Sequence, residues 1–129
     1  MKKININKTK ELDELKHFVT QKGGTEPAFS GKYYKFSEIG IYHCVCCGIE
    51  LFSSSDKYES GSGWPSFTKS FSTNRIKYIN DESLGMRRVE VRCNNCDSHL
   101  GHVFDDGPEP LNKRYCINSV SLDFKKNEL

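Results

Sequence analysis

The sequence predicts a mostly antiparallel β domain, sandwich-like or a partly closed barrel, behind a single N-terminal helix. Helical periodicity ends at a Gly-Gly pair at residues 23 and 24, and short alternating runs bounded by Gly, Ser, Asn and Asp fill the rest of the chain. Two cysteine pairs with metal-ligand spacing lie among those runs and supply a staple for a modest core. With 129 residues, the chain has room for one domain; dividing it would leave neither half enough buried surface.

Each element follows from its local pattern. From Thr9 to Lys22, Leu12, Leu15, Phe18 and Val19 fall on one helical face, Thr9 is placed to cap the start, and Gly23-Gly24 stops the helix. The runs IYHCVC, SFTKSF, RIKYIN, MRRVEVRC, HLGHVF and YCINSVSLDFK then read as strands. Residues 1 to about 8 and 126 to 129 are polar and are expected to fray.

Composition excludes several classes. The net charge of +2 is spread with mixed signs, so there is no basic footprint for nucleic acid. Apolar runs are too short to span a membrane, and the N-terminus MKKININKTKELDELK has no apolar h-region. A cytoplasmic location and a monomer are the expectations. In a reducing compartment, six cysteines point to metal ligation or catalysis rather than disulfides.

Cys44-Val-Cys46-Cys47-Gly48 and Cys93-Asn-Asn-Cys96-Asp97 are two knuckles separated by roughly 45 residues, each holding a C-x-x-C. The residue after a second ligand commonly takes positive φ, which suits Gly48 after Cys47 and Asp97 after Cys96. The ligand set is therefore Cys44, Cys47, Cys93 and Cys96, with Cys46 left out. Four thiolates close a tetrahedral zinc and leave no open position, so such a metal is structural. A catalytic zinc deaminase would need an H-x-E upstream of its cysteine pair, and the sequence has none.

Cys116 lies in RYCINSVSLDF. One continuous strand there would put Cys116, Asn118, Val120, Leu122 and Phe124 on a shared, core-directed face, with Arg114 in phase. A buried structural cysteine is the commoner outcome. The polar companions Arg114 and Asn118 favour a reactive thiolate, since a nearby guanidinium lowers a thiol pKa. His99 and His102 would point to opposite faces of a regular strand. Gly101 between them suggests a bulge that turns both toward one site, as acid-base groups. Trp64, the one tryptophan, sits in GSGWPSF; core packing is the ordinary fate of a lone indole, but the tightly turned setting favours a pocket wall.

In order and in register, VTQKGGTEP, YHCVCCGIELF, GSGWPSFTK, VEVRCNNCDSHLGHVFDDGP and RYCINSVSLDF resemble the B-type peptide-methionine (R)-S-oxide reductases, from about Phe18 to Phe124. The resemblance implies two antiparallel sheets with zinc at one end, remote from the active site. It implies the R epimer of peptide-bound methionine sulfoxide as substrate, Cys116 as nucleophile, and Trp64 as the pocket tryptophan. His99, His102, Asp106, Arg114 and Asn118 fall on polar active-site positions. Chemically, one histidine would protonate the sulfoxide oxygen, Asp106 would orient a histidine or a water, and Arg114 and Asn118 would hold the thiolate charge and the local hydrogen bonds. Cys116 would end as a sulfenic acid. Many members carry a resolving cysteine where this chain has Ser62, so an external thiol such as thioredoxin is the expected reductant. The competing reading is a non-catalytic zinc module that binds a protein partner, which would have no use for the Arg114–Cys116–Asn118 segment and its histidines.

Overall fold

A computed structural model describes the backbone of residues 6–126. Helix α1 (Ile6–Lys22) is followed by nine strands: β1 (Gly40–Cys44), β2 (Glu50–Ser53), β3 (Lys57–Tyr58), β4 (Ser66–Phe67), β5 (Ile76–Asp81), β6 (Arg88–Cys93), β7 (His99–Phe104), β8 (Arg114–Ile117) and β9 (Leu122–Lys126). They form a three-stranded sheet, β2-β1-β9, and a six-stranded sheet, β3-β4-β8-β7-β6-β5. Every pairing is antiparallel.

The core lies where the sheets face each other. Tyr42, Leu51, Phe52 and Leu122 from the smaller sheet meet Phe67, Ile76, Val91, Leu100, Tyr115 and Ile117 from the larger. Phe52 stacks on Phe67 with centroids 4.5 Å apart, and Tyr42 meets Phe67 edge-on at 5.2 Å. Aromatic pairs of this kind contribute beyond the area they bury. Among the described residues no helix is long and apolar enough to cross a membrane.

Several local expectations change. The helix begins at Ile6, so Thr9 lies inside it and does not cap it, and residues 6 to 8 are helical. Lys126 ends β9, whereas residues 1–5 and 127–129 of the expected frayed ends lie outside the described residues. Among the helix residues whose side chains are described, Val19 and Thr20 are buried, while Phe18 is half exposed. Its ring covers Gly24, whose amide donates to the Phe18 carbonyl at 3.0 Å. The Leu12 side chain lies outside the described residues.

The segment from Tyr115 to Lys125 is not one strand. A 3-10 turn at Ser119–Ser121 separates β8 from β9, and the two belong to different sheets. The turn resets the side-chain phase. Tyr115 and Ile117 take the core face of β8, and Arg114 and Cys116 take the opposite one. The expected core-directed run through Cys116 and Asn118 is thus overturned, and Cys116 faces a cleft.

Candidate active site

In the larger sheet, β8 lies between β4 and β7. Cys116 is opposite Ser66 on one side and His102 on the other; Tyr58 continues the row beyond Ser66, and Glu90 beyond His102. Directly opposed residues project to the same side of a sheet, so this row shares a face. Over it is a cavity of about 330 Å³ whose wall includes Cys116, Ser62, Trp64, Arg114, His102 and Asn118. Gly101 lets β7 approach β8 closely: a Cβ there would lie 2.0 Å from the Cys116 carbonyl oxygen.

Trp64 is fastened from behind. Its indole Nε1–H donates to the Glu26 carbonyl at 3.0 Å. Glu26 is itself buried, its amide donating to Asn118 Oδ1 at 2.8 Å and its carboxylate accepting the Val120 amide at 3.0 Å. Burial pushes the Glu26 carboxyl above its usual value against hydrogen bonds from Ser119 and Val120. The loop after α1, the end of β8 and the GSGW turn are thereby tied into one pocket wall.

The bulge expected at the histidines is present: register slips by one residue between the Val91–Gly101 and Arg92–His99 pairs, leaving Leu100 as the extra residue. The imidazole centroids come within 5.6 Å, yet only His102 lines the cavity. His102 Nε2 is 2.7 Å from Asp81 Oδ2. His99 is buried, with Nδ1 2.6 Å from Glu90 Oε2 and Nε2 without a partner. Burial lowers the His99 pKa, partly offset by Glu90. The Asp81 carboxyl is held far below the usual range, first by the Ser83 hydroxyl and amide and then by His102.

Asp106 and Asn118 make these contacts. Asp106 holds no histidine; it takes a forked pair from Arg114, Nε to Oδ1 at 2.8 Å and Nη2 to Oδ2 at 3.1 Å. The guanidinium also lies 4.3 Å from the Phe104 ring centroid, so its position is set on two sides. Asn118 holds local hydrogen bonds, accepting from the Glu26 amide and donating to the Leu100 carbonyl at 3.0 Å. The Cys116 pKa lies above its usual value. Burial raises it, and the Ser62 hydroxyl and the Arg114 charge pull it back only in part.

The four knuckle cysteines meet at one place, their sulfurs all within 4.8 Å of one another. Cys44–Cys96 and Cys47–Cys93 sulfur pairs are 3.6 Å apart. A tetrahedron with metal–sulfur bonds of about 2.3 Å has edges of about 3.8 Å, so the donor set fits zinc. Gly48 and Asp97 both have positive φ, +85° and +67°, as the ligand assignment requires. Cys44 ends β1 and Cys93 ends β6, so a metal here would tie one sheet to the other. Cys46 is exposed, its sulfur 3.7 Å from Gln21 Nε2.

The SelR domain model matches residues 12–126. The chain belongs to the SelR family of B-type methionine sulfoxide reductases. A protein of Thioalkalivibrio sulfidiphilus named peptide methionine sulfoxide reductase MsrB is 60% identical over 107 residues, which cover 83% of this chain and 78% of that protein. Proteins of the same name from strains of Escherichia coli are 53% identical over 119 residues, covering 92% of this chain and 87% of theirs. Of the residues singled out in the sequence, this SelR domain brings Cys116, Trp64, His102, Arg114 and Asn118 around one cavity, with Asp106 behind Arg114 and His99 behind His102. Sequence reasoning missed Asp81, Glu90 and Glu26. Their partners are 21, 9 and 92 positions away, and tertiary packing, not a local motif, brings them together.

Proposed function

We propose that this chain reduces the R epimer of methionine sulfoxide in peptides and proteins by attack of the Cys116 thiolate on the sulfoxide sulfur. The observation that carries the reading is the set of groups around Cys116, which is the cysteine lining the cavity. Trp64 offers the substrate methyl a flat apolar wall, and sulfur–aromatic contact adds about 0.3–1.5 kcal/mol. A pocket with methyl on one side and polar groups on the other distinguishes the two configurations at sulfur.

The reaction sums to thiol plus sulfoxide giving sulfenic acid plus thioether. The substrate sulfur gains the two electrons that the Cys116 sulfur loses. The sulfoxide oxygen must take a proton on the way, and His102, fixed by Asp81 and lining the cavity, is the group we assign to supply it. His99 then acts from behind, and Arg114 offsets negative charge near sulfur. External thiols, thioredoxin among them, reduce the sulfenic acid and release water. Cys44, Cys47, Cys93 and Cys96 would hold one zinc, which supplies folding energy and no step of the chemistry. The thiol-dependent cycle suits a reducing compartment, the cytoplasm.

A racemic sulfoxide peptide with dithiothreitol tests the reading. The parent protein should consume only the R epimer, and Cys116→Ser should consume neither while keeping its metal and melting behaviour. Appreciable turnover by Cys116→Ser, or equal loss of both epimers with the parent, would overturn it.

A further inference from the structure

In this chain the position beside Cys116 is a serine, and it does not stand alone. Ser62 Oγ is 3.8 Å from the Cys116 sulfur, within reach for a large, polarisable acceptor. Ser60 Oγ donates to Ser62 Oγ at 2.9 Å and lies 2.6 Å from Ser66 Oγ. Ser66 is the β4 residue opposite Cys116. The three hydroxyls thus form a small hydrogen-bonded cluster that ends on the sulfur.

The Ser62 oxygen is fixed while its proton can turn. Its oxygen accepts the Trp64 amide at 3.3 Å, and its proton can go to the Trp64 carbonyl, also at 3.3 Å. That carbonyl has a second donor available, Ser66 Oγ at 3.2 Å. When Cys116 is a thiol, Ser62 donates to the Trp64 carbonyl and accepts from Ser60 and the Trp64 amide, which fills its two lone pairs. When the sulfur is negative, one rotation about the Ser62 C–O bond redirects the proton to it. Ser60 continues to donate to Ser62, and Ser66, 2.6 Å from Ser60, can donate to it from behind. No heavy atom moves between the two states. A hydrogen bond to a charged acceptor is stronger than a neutral one, so the rotation favours the charged form.

We propose that Ser62 is a further catalytic residue: with Ser60 and Ser66 behind it, its hydroxyl donates a switchable hydrogen bond to the Cys116 sulfur and holds it as the thiolate. The inference rests on Cys116 being the nucleophile. In this chain, then, the position does more than lack a resolving sulfur. Other charged or titratable groups act on the same sulfur from each neighbouring element: Arg114 on β8, Tyr58 on β3 and Glu26 in the loop after α1. His102 on β7 and Arg88 on β6 line the same cavity. Of these, Arg114 pulls the thiol down beside Ser62, while Glu26 and burial push it up.

The test is the pH profile of Cys116 alkylation by iodoacetamide, followed by peptide mass mapping in the metal-loaded protein. It needs no sulfoxide, so failure of this inference and failure of the reductase reading are separately visible. Ser62→Ala should move the alkylation midpoint up by about one pH unit, a roughly tenfold loss of rate at neutral pH. Ser62→Thr, which keeps the hydroxyl, should restore most of the shift, and Ser60→Ala should give a smaller shift in the same direction. A Ser62→Ala profile superimposable on the parent would overturn the proposal. So would a Ser62→Thr shift as large as that of Ser62→Ala, because the effect would then lie in packing rather than in the hydroxyl.

Discussion

Ser62→Cys would turn a side-chain neighbour of the Cys116 sulfur into a thiol. The two side-chain heteroatoms are already 3.8 Å apart, and a carbon–sulfur bond is longer than a carbon–oxygen bond, so the substitution narrows the gap further. The residues are 54 positions apart. A cross-link closing a loop of that length removes denatured-state entropy worth about 4 kcal/mol in the chain-entropy model. For a domain of this size, that is a rise in melting temperature on the order of 10 °C. The sequence of events matters: one turnover makes the Cys116 sulfenic acid, the introduced thiolate attacks it, water leaves, and the disulfide forms. The assay is a single turnover of the variant without reductant, then mass mapping and paired melts with and without dithiothreitol. The expected result is a disulfide joining positions 62 and 116 and a melt that falls back when the bond is reduced. A variant that still reduces one equivalent of sulfoxide yet accumulates sulfenic acid, with no disulfide, would refute the argument that Ser62 occupies a position from which Cys116 can be reached.

The knuckle cysteines and the histidine carboxylate give the remaining expectations. Cys93→Ser should lose both bound zinc and cooperative unfolding, because structural zinc contributes apparent binding energy on the order of 10 kcal/mol to folding; metal analysis and denaturant melts check it. Cys46→Ser, at an exposed thiol outside the four-sulfur cluster, should leave zinc stoichiometry unchanged. Asp81→Asn should reduce turnover through loss of the His102 contact and should also alter the acid limb of stability. Because the folded-state pKa of Asp81 lies below its unfolded value, its contribution is full above about pH 4 and declines as pH falls toward the folded value. The stability gap between the parent and Asp81→Asn should therefore shrink as pH is lowered below about 4; a gap independent of pH in that range would count against the pairing.

What the sequence determined by itself was whatever local spacing encodes. Two C-x-x-C pairs, followed by a glycine and an aspartate suited to positive φ, identify four of the six cysteines as one set, because that geometry is completed within a single turn. Alternation and punctuation give a β domain after one helix for the same reason, and the glycine at 101 announces a bulge one residue away from where it occurs. Tertiary structure decided everything that depends on phase and partner. The 3-10 turn at Ser119–Ser121 breaks the alternation on which the face of Cys116 was read, so only the folded chain shows that Tyr115 and Ile117 go inward and Cys116 faces the cavity. Strand register, fixed by burial of one face of each sheet, is what sets Ser66 and His102 on either side of Cys116. Tertiary placement also decides which carboxylate meets which side chain. Asp106, close in sequence to both histidines, goes to Arg114, while Asp81 reaches His102 across the sheet. Hydrogen bonding is satisfied in space, and proximity along the chain has no say in it once strands from distant segments lie side by side.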